Sequence, residues 1–482
     1  MSTTRKIAHN TGLQVIGKAV SLALSLLTVG VMTRYLGAAG FGQYTTTIAY
    51  LQFFGIIVDF GLAVVVAQLI AARRAETDAI LSNVFTFRLV TAAILFALAP
   101  IVVWWLPYPL IVKQATALAA GALFFVSLQQ VIVSIYQREL RMFAPAAAEV
   151  VGRAAILIGT IAVVMLGADL RAIMAAVLVG NILQFIVSFA AARAFATIRL
   201  ACDWIMWREV LAKSWPIGLS IIFNLIYFRA DTIILSLYRD AATVGLYGAP
   251  YKVLEVLVTF PYLFMGLVLP LFSASWAAGD RPRFASQLQR AWDTMAVVTW
   301  PVLIGGAVLA TPIMVAIAGD EFALSGAILP ILLVATAAIY FSNVLTHAIV
   351  AIEQQRRMLG GFAAVAVVAL IGYLVLIPRV GYWGAASVTV LAELAILVIA
   401  TRVVKQTTGV KIRYYIFSRA LSAAVIMGAA VWLMAQAVGV GASWQLPLLI
   451  LTGAAVYAAA LWLLGGLDKK IVVEVLGRGA RD

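Results

Sequence analysis

Cysteine is nearly absent from these 482 residues: Cys202 stands alone, which excludes a disulfide framework, a zinc ribbon and a CxxC redox pair. Histidine occurs twice, as His9 and His347, too sparse and too far apart for histidine-based catalysis or a multi-histidine metal site. No metal and no cofactor is implied. Charge is scarce as well, at 11% of residues where a soluble domain has about a quarter. Acidic residues are the rarer sign, 20 against 34 basic, leaving a formal charge of +14. In a soluble protein that excess would suggest nucleic acid. Here it is read as the positive-inside bias of a membrane protein, and no nucleic-acid partner is expected.

What the chain has in abundance is apolar length. Sixty-four per cent of it is hydrophobic and mean hydropathy is +1.05. Crossing about 30 Å of hydrocarbon takes roughly 20 apolar residues at 1.5 Å each, and such stretches follow one another throughout. The runs predict an all-α polytopic membrane protein with about fourteen transmembrane helices. A first set of six falls near 11–33, 43–70, 83–105, 114–137, 147–167 and 171–192. A polar, Trp-rich linker (193–214) leads to a second set near 215–238, 244–271, 293–318, 326–350, 360–377 and 381–403, then a pair near 419–438 and 444–466. The expected organisation is an N-lobe (1–200), a C-lobe (201–410) and a C-terminal helix pair with a cytoplasmic tail (411–482). The first run is about 22 residues long, too long for a signal peptide's apolar core and without a clear cleavage site, so it is read as an uncleaved span.

Laid on this map, twenty-four Lys and Arg fall on one side of the membrane and five on the other, with Lys18, Arg88, Arg153, Arg229 and Lys252 inside spans. The richer side is taken as cytoplasmic and holds both termini, as an even number of spans requires. Two segments look duplicated. TRYLGAAGFGQY (Thr33 to Tyr44) and SLYRDAATVGLY (Ser236 to Tyr247) superpose at an offset of 203 residues, matching Tyr35 with Tyr238, Gly42 with Gly245 and Tyr44 with Tyr247. Each is a short external turn between the first two spans of its set. Six is even, so both sets enter the membrane in the same direction and a pseudo-twofold axis along the membrane normal is expected.

External loops are too short for an extramembrane catalytic domain. GLQVIGKA (Gly12 to Ala19) resembles a phosphate-binding loop but lacks Ser or Thr after Lys18 and sits inside an apolar helix with no preceding strand. An enzyme is not the reading; a transporter is.

An ionisable side chain at a helix centre in the bilayer costs about 2.5–3.5 kcal/mol, so each one needs a reason. Lys18, Arg88 and Arg153 lie near the cytoplasmic ends of spans one, three and five, where they either snorkel or form a basic vestibule for an anionic head group. Arg229 lies close to the middle of span seven and cannot snorkel easily. Asp231, two residues on, faces elsewhere on the helix. Lys252 and Glu255 are three apart and can pair locally. Asp59 and Glu393 are mid-span carboxylates that either partner those cations or carry a proton. Pro216, Pro250, Pro261, Pro301, Pro312 and Pro330, with Gly305 and Gly306, permit bends and close helix approach. Trp104, Trp105, Trp204 and Trp207 are read as interfacial belt anchors.

RYLGAAGFGQYTTTIAYLQFFGIIVDFGLA (Arg34 to Ala63) and RADTIILSLYRDAATVGLYGAPYKVLE (Arg229 to Glu255) resemble signatures of the polysaccharide transporter family of the multidrug/oligosaccharidyl-lipid/polysaccharide exporter superfamily. The resemblance implies a flippase of the bacterial inner membrane that moves an undecaprenyl-diphosphate-linked oligosaccharide from the cytoplasmic to the periplasmic leaflet by alternating access. Its products would serve O-antigen (lipopolysaccharide), capsule or exopolysaccharide assembly, with membrane lipids and glycan polymerase or assembly proteins as partners. It further implies a central cationic cavity, carried over by helix position to Arg229, Lys252 and Lys18, with Arg88 and Arg153 as basic candidates. Asp59, Asp231, Glu255 and Glu393 are then coupling groups or structural partners. An ion-coupled drug or organic-cation antiporter of the same superfamily is the alternative, in which the carboxylates would matter more. A non-transporting scaffold would need none of these charges.

Overall fold

In a computed structural model, which describes residues 3–72, 76–139, 141–438 and 444–466, the chain is a succession of helices with no strand among the described residues. They are α1 (Thr3–Asp59), α2 (Leu62–Ala72), α3 (Thr77–Val103), α4 (Leu110–Arg138), α5 (Phe143–Met165), α6 (Leu170–Ala192), α7 (Trp204–Tyr238) and α8 (Ala241–Ala277). There follow α9 (Arg281–Val308), α10 (Ala310–Ala318), α11 (Ser325–Ala351), α12 (Gln355–Val380), α13 (Tyr382–Thr408), α14 (Tyr415–Val438) and α15 (Gln445–Leu463). Hydrocarbon offers the backbone no partner, so each segment satisfies its own peptide groups as a helix. Among the described residues, thirteen helices are long and apolar enough to cross a membrane. The first of these, Ile16–Asp59, has 44 residues, about 66 Å of helix, which is twice the hydrocarbon thickness. It is interrupted at Gly37 (φ 65°, ψ −177°), a conformation open to glycine, and so supplies the first two expected spans. The chain is thus a multi-pass membrane protein of the expected all-α class. The basic residues Arg73 and Arg74, and those from Lys469 onward, lie outside the described residues.

Aspartates set several helix starts. Asp169, Asp203 and Asp280 accept hydrogen bonds from backbone N–H groups in the first turns of α6, α7 and α9. The cap at Asp203 corrects the expected linker: its second half is the start of α7, which begins eleven residues before the span that hydropathy delimits. The remaining strap lies along α3. Ser82 Oγ accepts from Arg199 N (3.1 Å), Thr86 Oγ1 from Ala201 N (2.9 Å) and Asn83 Oδ1 from Asp203 N (2.7 Å). Trp207, read as a belt anchor, donates its Nε1 to Asn83 O and packs its ring edge-on against Phe87.

Two compact units result, Met1–Gly248 with Leu370–Tyr382, and Ala249–Ala369 with Trp383–Asp482. The first has cores around Leu81, Ile132, Ile135 and Tyr136 and around Leu51, Ala92, Ala99 and Ala115. In the second, Ala420, Ala423 and Met427 of α14 pack with Leu449 and Leu461 of α15 and Leu309.

Within the first unit the duplicated turns meet each other. A Cβ on Gly42 would lie 1.6 Å from Ala241 O, and one on Gly245 would lie 1.9 Å from Ala38 O. One turn on, a Cβ on Gly248 would meet Thr45. Positions 38 and 241, 42 and 245, and 45 and 248 all stand 203 residues apart. Each helix therefore offers its small residue to the other's carbonyl in the same way, the reciprocity of a self-complementary contact. Ala38-x-x-x-Gly42 and Ala241-x-x-x-Gly245 form a small-x-x-x-small crossing at a distance that favours Cα–H···O contacts.

Candidate functional site

The polar cavity of the first unit has a volume of about 380 Å³ and is bordered by the last turns of α1, by α3, by α4 and by α7. Its polar lining is Gln52, Asp59, Ser127, Gln130, Asn224 and Arg229. Spacing explains why these face one space. Gln52 and Asp59 are seven apart and Ser127 and Gln130 three apart, each pair on one helix face. Arg229 is nine residues from the end of α7, about 14 Å along the helix, close to half a bilayer core. Its guanidinium lies over the ring of Phe228, 5.3 Å from the centroid.

The wall beside Asp59 is built on a break in the helix. After Asp59 the chain takes positive φ at Phe60 (38°) and Gly61 (79°) before α2 begins. Positive φ at a Phe costs about 1 kcal/mol or more and persists only where its surroundings enforce it. Part of the enforcement is Gly218 of α7, where any Cβ would collide with the Phe60 ring and carbonyl. The rest is Arg88. Ending α1 leaves carbonyls without intrahelical donors, and Arg88 Nη1 donates to one of them, Val58 O, at 2.8 Å. Its Nε donates to Ser127 O (3.2 Å), and its Nη2 both pairs with Asp59 Oδ1 (2.6 Å) and donates to Gln130 Oε1. Arg88 is 0% exposed. Of the two readings of Arg88, snorkelling and a basic vestibule, neither describes its place here: it is a buried, ion-paired clamp of the broken helix.

The other predicted residues sit elsewhere. Lys18 of α1 pairs with Glu149 of α5 at 2.8 Å, and Arg153, one turn beyond Glu149, is exposed. Asp231 does not line the cavity. It is buried between α7 and α8, accepting from Tyr247 Oη (2.5 Å), Thr232 N (2.6 Å) and Thr232 Oγ1 (3.2 Å). Lys252, Glu255 and Glu393 belong to the second unit, where Lys252 and Glu255 form a local pair at 2.9 Å and Glu393 is buried in α13. Gln52, Ser127, Gln130, Asn224 and Glu149 were not singled out by sequence. The second unit has a separate pocket of about 370 Å³ lined entirely by apolar side chains and glycine, among them Leu257, Ile313, Met427 and Leu449. Among the described residues no cluster of three or more His, Cys, Asp or Glu could hold a metal ion.

The model of the polysaccharide biosynthesis protein family matches residues 7–276. No curated protein sequence matches the chain. Among solved structures it is similar to the lipid II flippase MurJ in an inward closed conformation, with a TM-score of 0.78, 18% identity, and 96% of this chain and 99% of that one covered. It is also similar to an inward-facing multidrug resistance MATE family transporter of the MOP superfamily (TM-score 0.67, 13% identity, 82% and 98% covered). A third is a MOP superfamily transporter from Pyrococcus furiosus described as having a binding pocket of reverse polarity (TM-score 0.58, 14% identity, 84% and 95% covered). At these identities the likeness is one of fold.

Proposed function

We propose, from the premise that this chain belongs to the polysaccharide biosynthesis protein family, that it is a flippase for a lipid-diphosphate-linked oligosaccharide. The observation that carries the reading is the composition of the polar cavity: one guanidinium, Arg229, among amides and a hydroxyl, with the neighbouring carboxylate, Asp59, already paired. A diphosphate carries at least two negative charges into a medium that penalises each, and a guanidinium offers it a planar fork of donors. Gln52, Gln130 and Asn224 supply the neutral donors and acceptors that sugar hydroxyls need. The apolar pocket of the second unit suits hydrocarbon and nothing ionic. An organic cation would need an available carboxylate, and in this cavity Arg88 already holds Asp59.

The finer reading is transport from the cytoplasmic to the periplasmic leaflet of a bacterial inner membrane, with both termini cytoplasmic and an undecaprenyl-diphosphate-linked glycan for O-antigen, capsule or exopolysaccharide. The charge asymmetry of the loops supports the orientation. The test is flipping of a fluorescent lipid-diphosphate oligosaccharide in vesicles reconstituted with the protein. Arg229→Ala is expected to slow it by about tenfold or more, the loss of one charge-assisted contact of ~1.5–3 kcal/mol, while the protein remains inserted and monodisperse. Wild-type flipping by Arg229→Ala would remove the cavity from the mechanism.

A further inference from the structure

Beside the end of α6, away from the polar cavity, lies a pocket of about 290 Å³ bordered by Phe189, Arg193, Ala196, Thr197, Ile198 and Arg199. We propose that it binds the phosphate of an anionic phospholipid, an inference independent of the transport reading.

Three observations carry it. First, the pocket is cationic and its charge is not neutralised: neither guanidinium pairs with a carboxylate among the described residues. Arg193 lies over the Phe189 ring, 5.1 Å from its centroid, and the backbone N–H of Arg199 is fixed to Ser82 Oγ. Asp78 accepts from the Thr197 hydroxyl (2.6 Å), and Glu139 pairs with Arg138. Arg141, stacked on Phe195, adds a further positive charge nearby. Second, the pocket is built. The strap from Thr197 to Asp203 is tied to α3 through Asp78, Ser82, Asn83 and Thr86, which fixes the backbone of Arg199, and Arg193 is held by the cap of α6, its N–H donating to Phe189 O. Third, the place is interfacial. Phe189 and Arg193 occupy the last turn of a membrane-crossing helix and its cap, and Leu200, Trp204 and Ile205 follow as exposed apolar side chains. Arginine beside exposed apolar and aromatic groups at a span's end is the composition of the head-group zone, where a phosphate meets cations and its acyl chains meet hydrocarbon. A free phosphate would use the arginines and leave the apolar border unused.

The test is an equilibrium titration of the full chain in neutral detergent with acyl-labelled fluorescent phosphatidylglycerol, followed by competition. Unlabelled phosphatidylglycerol is expected to displace the probe, whereas phosphatidylcholine and inorganic phosphate at equal concentration do not. Affinity should fall about fivefold for each arginine removed, the factor expected for one basic residue at a membrane surface, in Arg193→Gln, Arg199→Gln and the double variant. Arg281→Gln with Arg283→Gln, in the second unit, serves as a control that keeps full affinity. Arg199→Gln removes a side chain with no ion pair among the described residues, so its melting temperature without lipid should match the wild type and separates lost binding from lost folding. Unchanged affinity in the double variant overturns the site. Displacement by inorganic phosphate as effective as by phosphatidylglycerol overturns the lipid as its occupant.

Discussion

Replacing Gly42 with alanine tests the crossing of the duplicated turns directly. The new Cβ would stand 1.6 Å from Ala241 O, whereas even a close C···O contact needs about 3.3 Å, so the two backbones must part by roughly 1.7 Å. Neither contact atom is the end of a flexible side chain, and no rotamer relieves the clash. Overpacking of this kind costs about 1–3 kcal/mol. Gly245→Ala, with its Cβ 1.9 Å from Ala38 O, should cost the same within a factor of two because its surroundings are the reciprocal ones. The double variant should lose less than the two separate losses combined, since a crossing already forced open accepts the second methyl freely. Gly266→Ala, in α8, is the control: its Cβ meets nothing within 4 Å, and alanine is the better helix former by about 1 kcal/mol. The assay is the midpoint of heat-induced loss of the monodisperse peak in detergent. Gly42→Ala as stable as Gly266→Ala would refute the reasoning, as would strict additivity of the two clasp variants.

Asp59→Ala strands the buried Arg88 charge and should destabilise by about 3–5 kcal/mol, whereas Arg88→Met with Asp59→Leu should recover only part of that loss in the same melting assay, since the Val58 and Ser127 carbonyls then lack their donor. Arg229→Lys keeps the charge but not the fork, so it should flip the lipid-diphosphate probe at a rate between wild type and Arg229→Ala; a rate equal to wild type would mean that charge alone is needed. Topology reporters fused after Arg208 and Arg357 should read cytoplasmic and those near Pro107, Asp240 and Asp320 periplasmic, and a uniform reading would overturn the orientation.

The spans were legible because hydrocarbon thickness imposes one length on every apolar run, and fourteen such runs can be counted without a structure. Their joints were less so. Nothing in hydropathy separates a helix ended at Asp59 from one that continues to Ile70, because the break rests on Phe60 and Gly61 meeting Gly218 from a segment far along the chain. The same holds for Arg88. Its position in span three suggested a short reach to the interface, and only the packing of α1 and α4 around it shows that its donors are consumed by Val58, Asp59, Ser127 and Gln130. Arg229 was found as a charge with nowhere to snorkel. The amides beside it carry no charge and gave no comparable signal, although the seven-residue spacing of Gln52 and Asp59 and the three-residue spacing of Ser127 and Gln130 would have placed each pair on one face.

The repeat also divides frame from chemistry. Around the duplicated turns the residues that match at an offset of 203 include those that set backbone distance, Ala38 with Ala241 and Gly42 with Gly245, besides Tyr35 with Tyr238 and Tyr44 with Tyr247. The charged residues of the second copy have no charged counterparts. Arg229, Asp231, Lys252 and Glu255 stand where the first copy has Leu26, Thr28, Ala49 and Gln52. A symmetric crossing needs both glycines, since a methyl on either side blocks the other's carbonyl, so selection for close approach acts on the two copies alike. A charge in hydrocarbon is penalised wherever it appears and is worth retaining only where a ligand or a buried partner repays it. Asp231 has Tyr247 and Thr232 as such partners. Arg229 borders the polar cavity, and its counterpart Leu26 can serve no anion, so on the proposed function the duty of meeting a diphosphate near mid-membrane falls on one copy alone. Moving that arginine, as Leu26→Arg with Arg229→Leu, should therefore fail to restore flipping even though the repeat is preserved; restoration would show that the two copies are interchangeable in function as well as in frame.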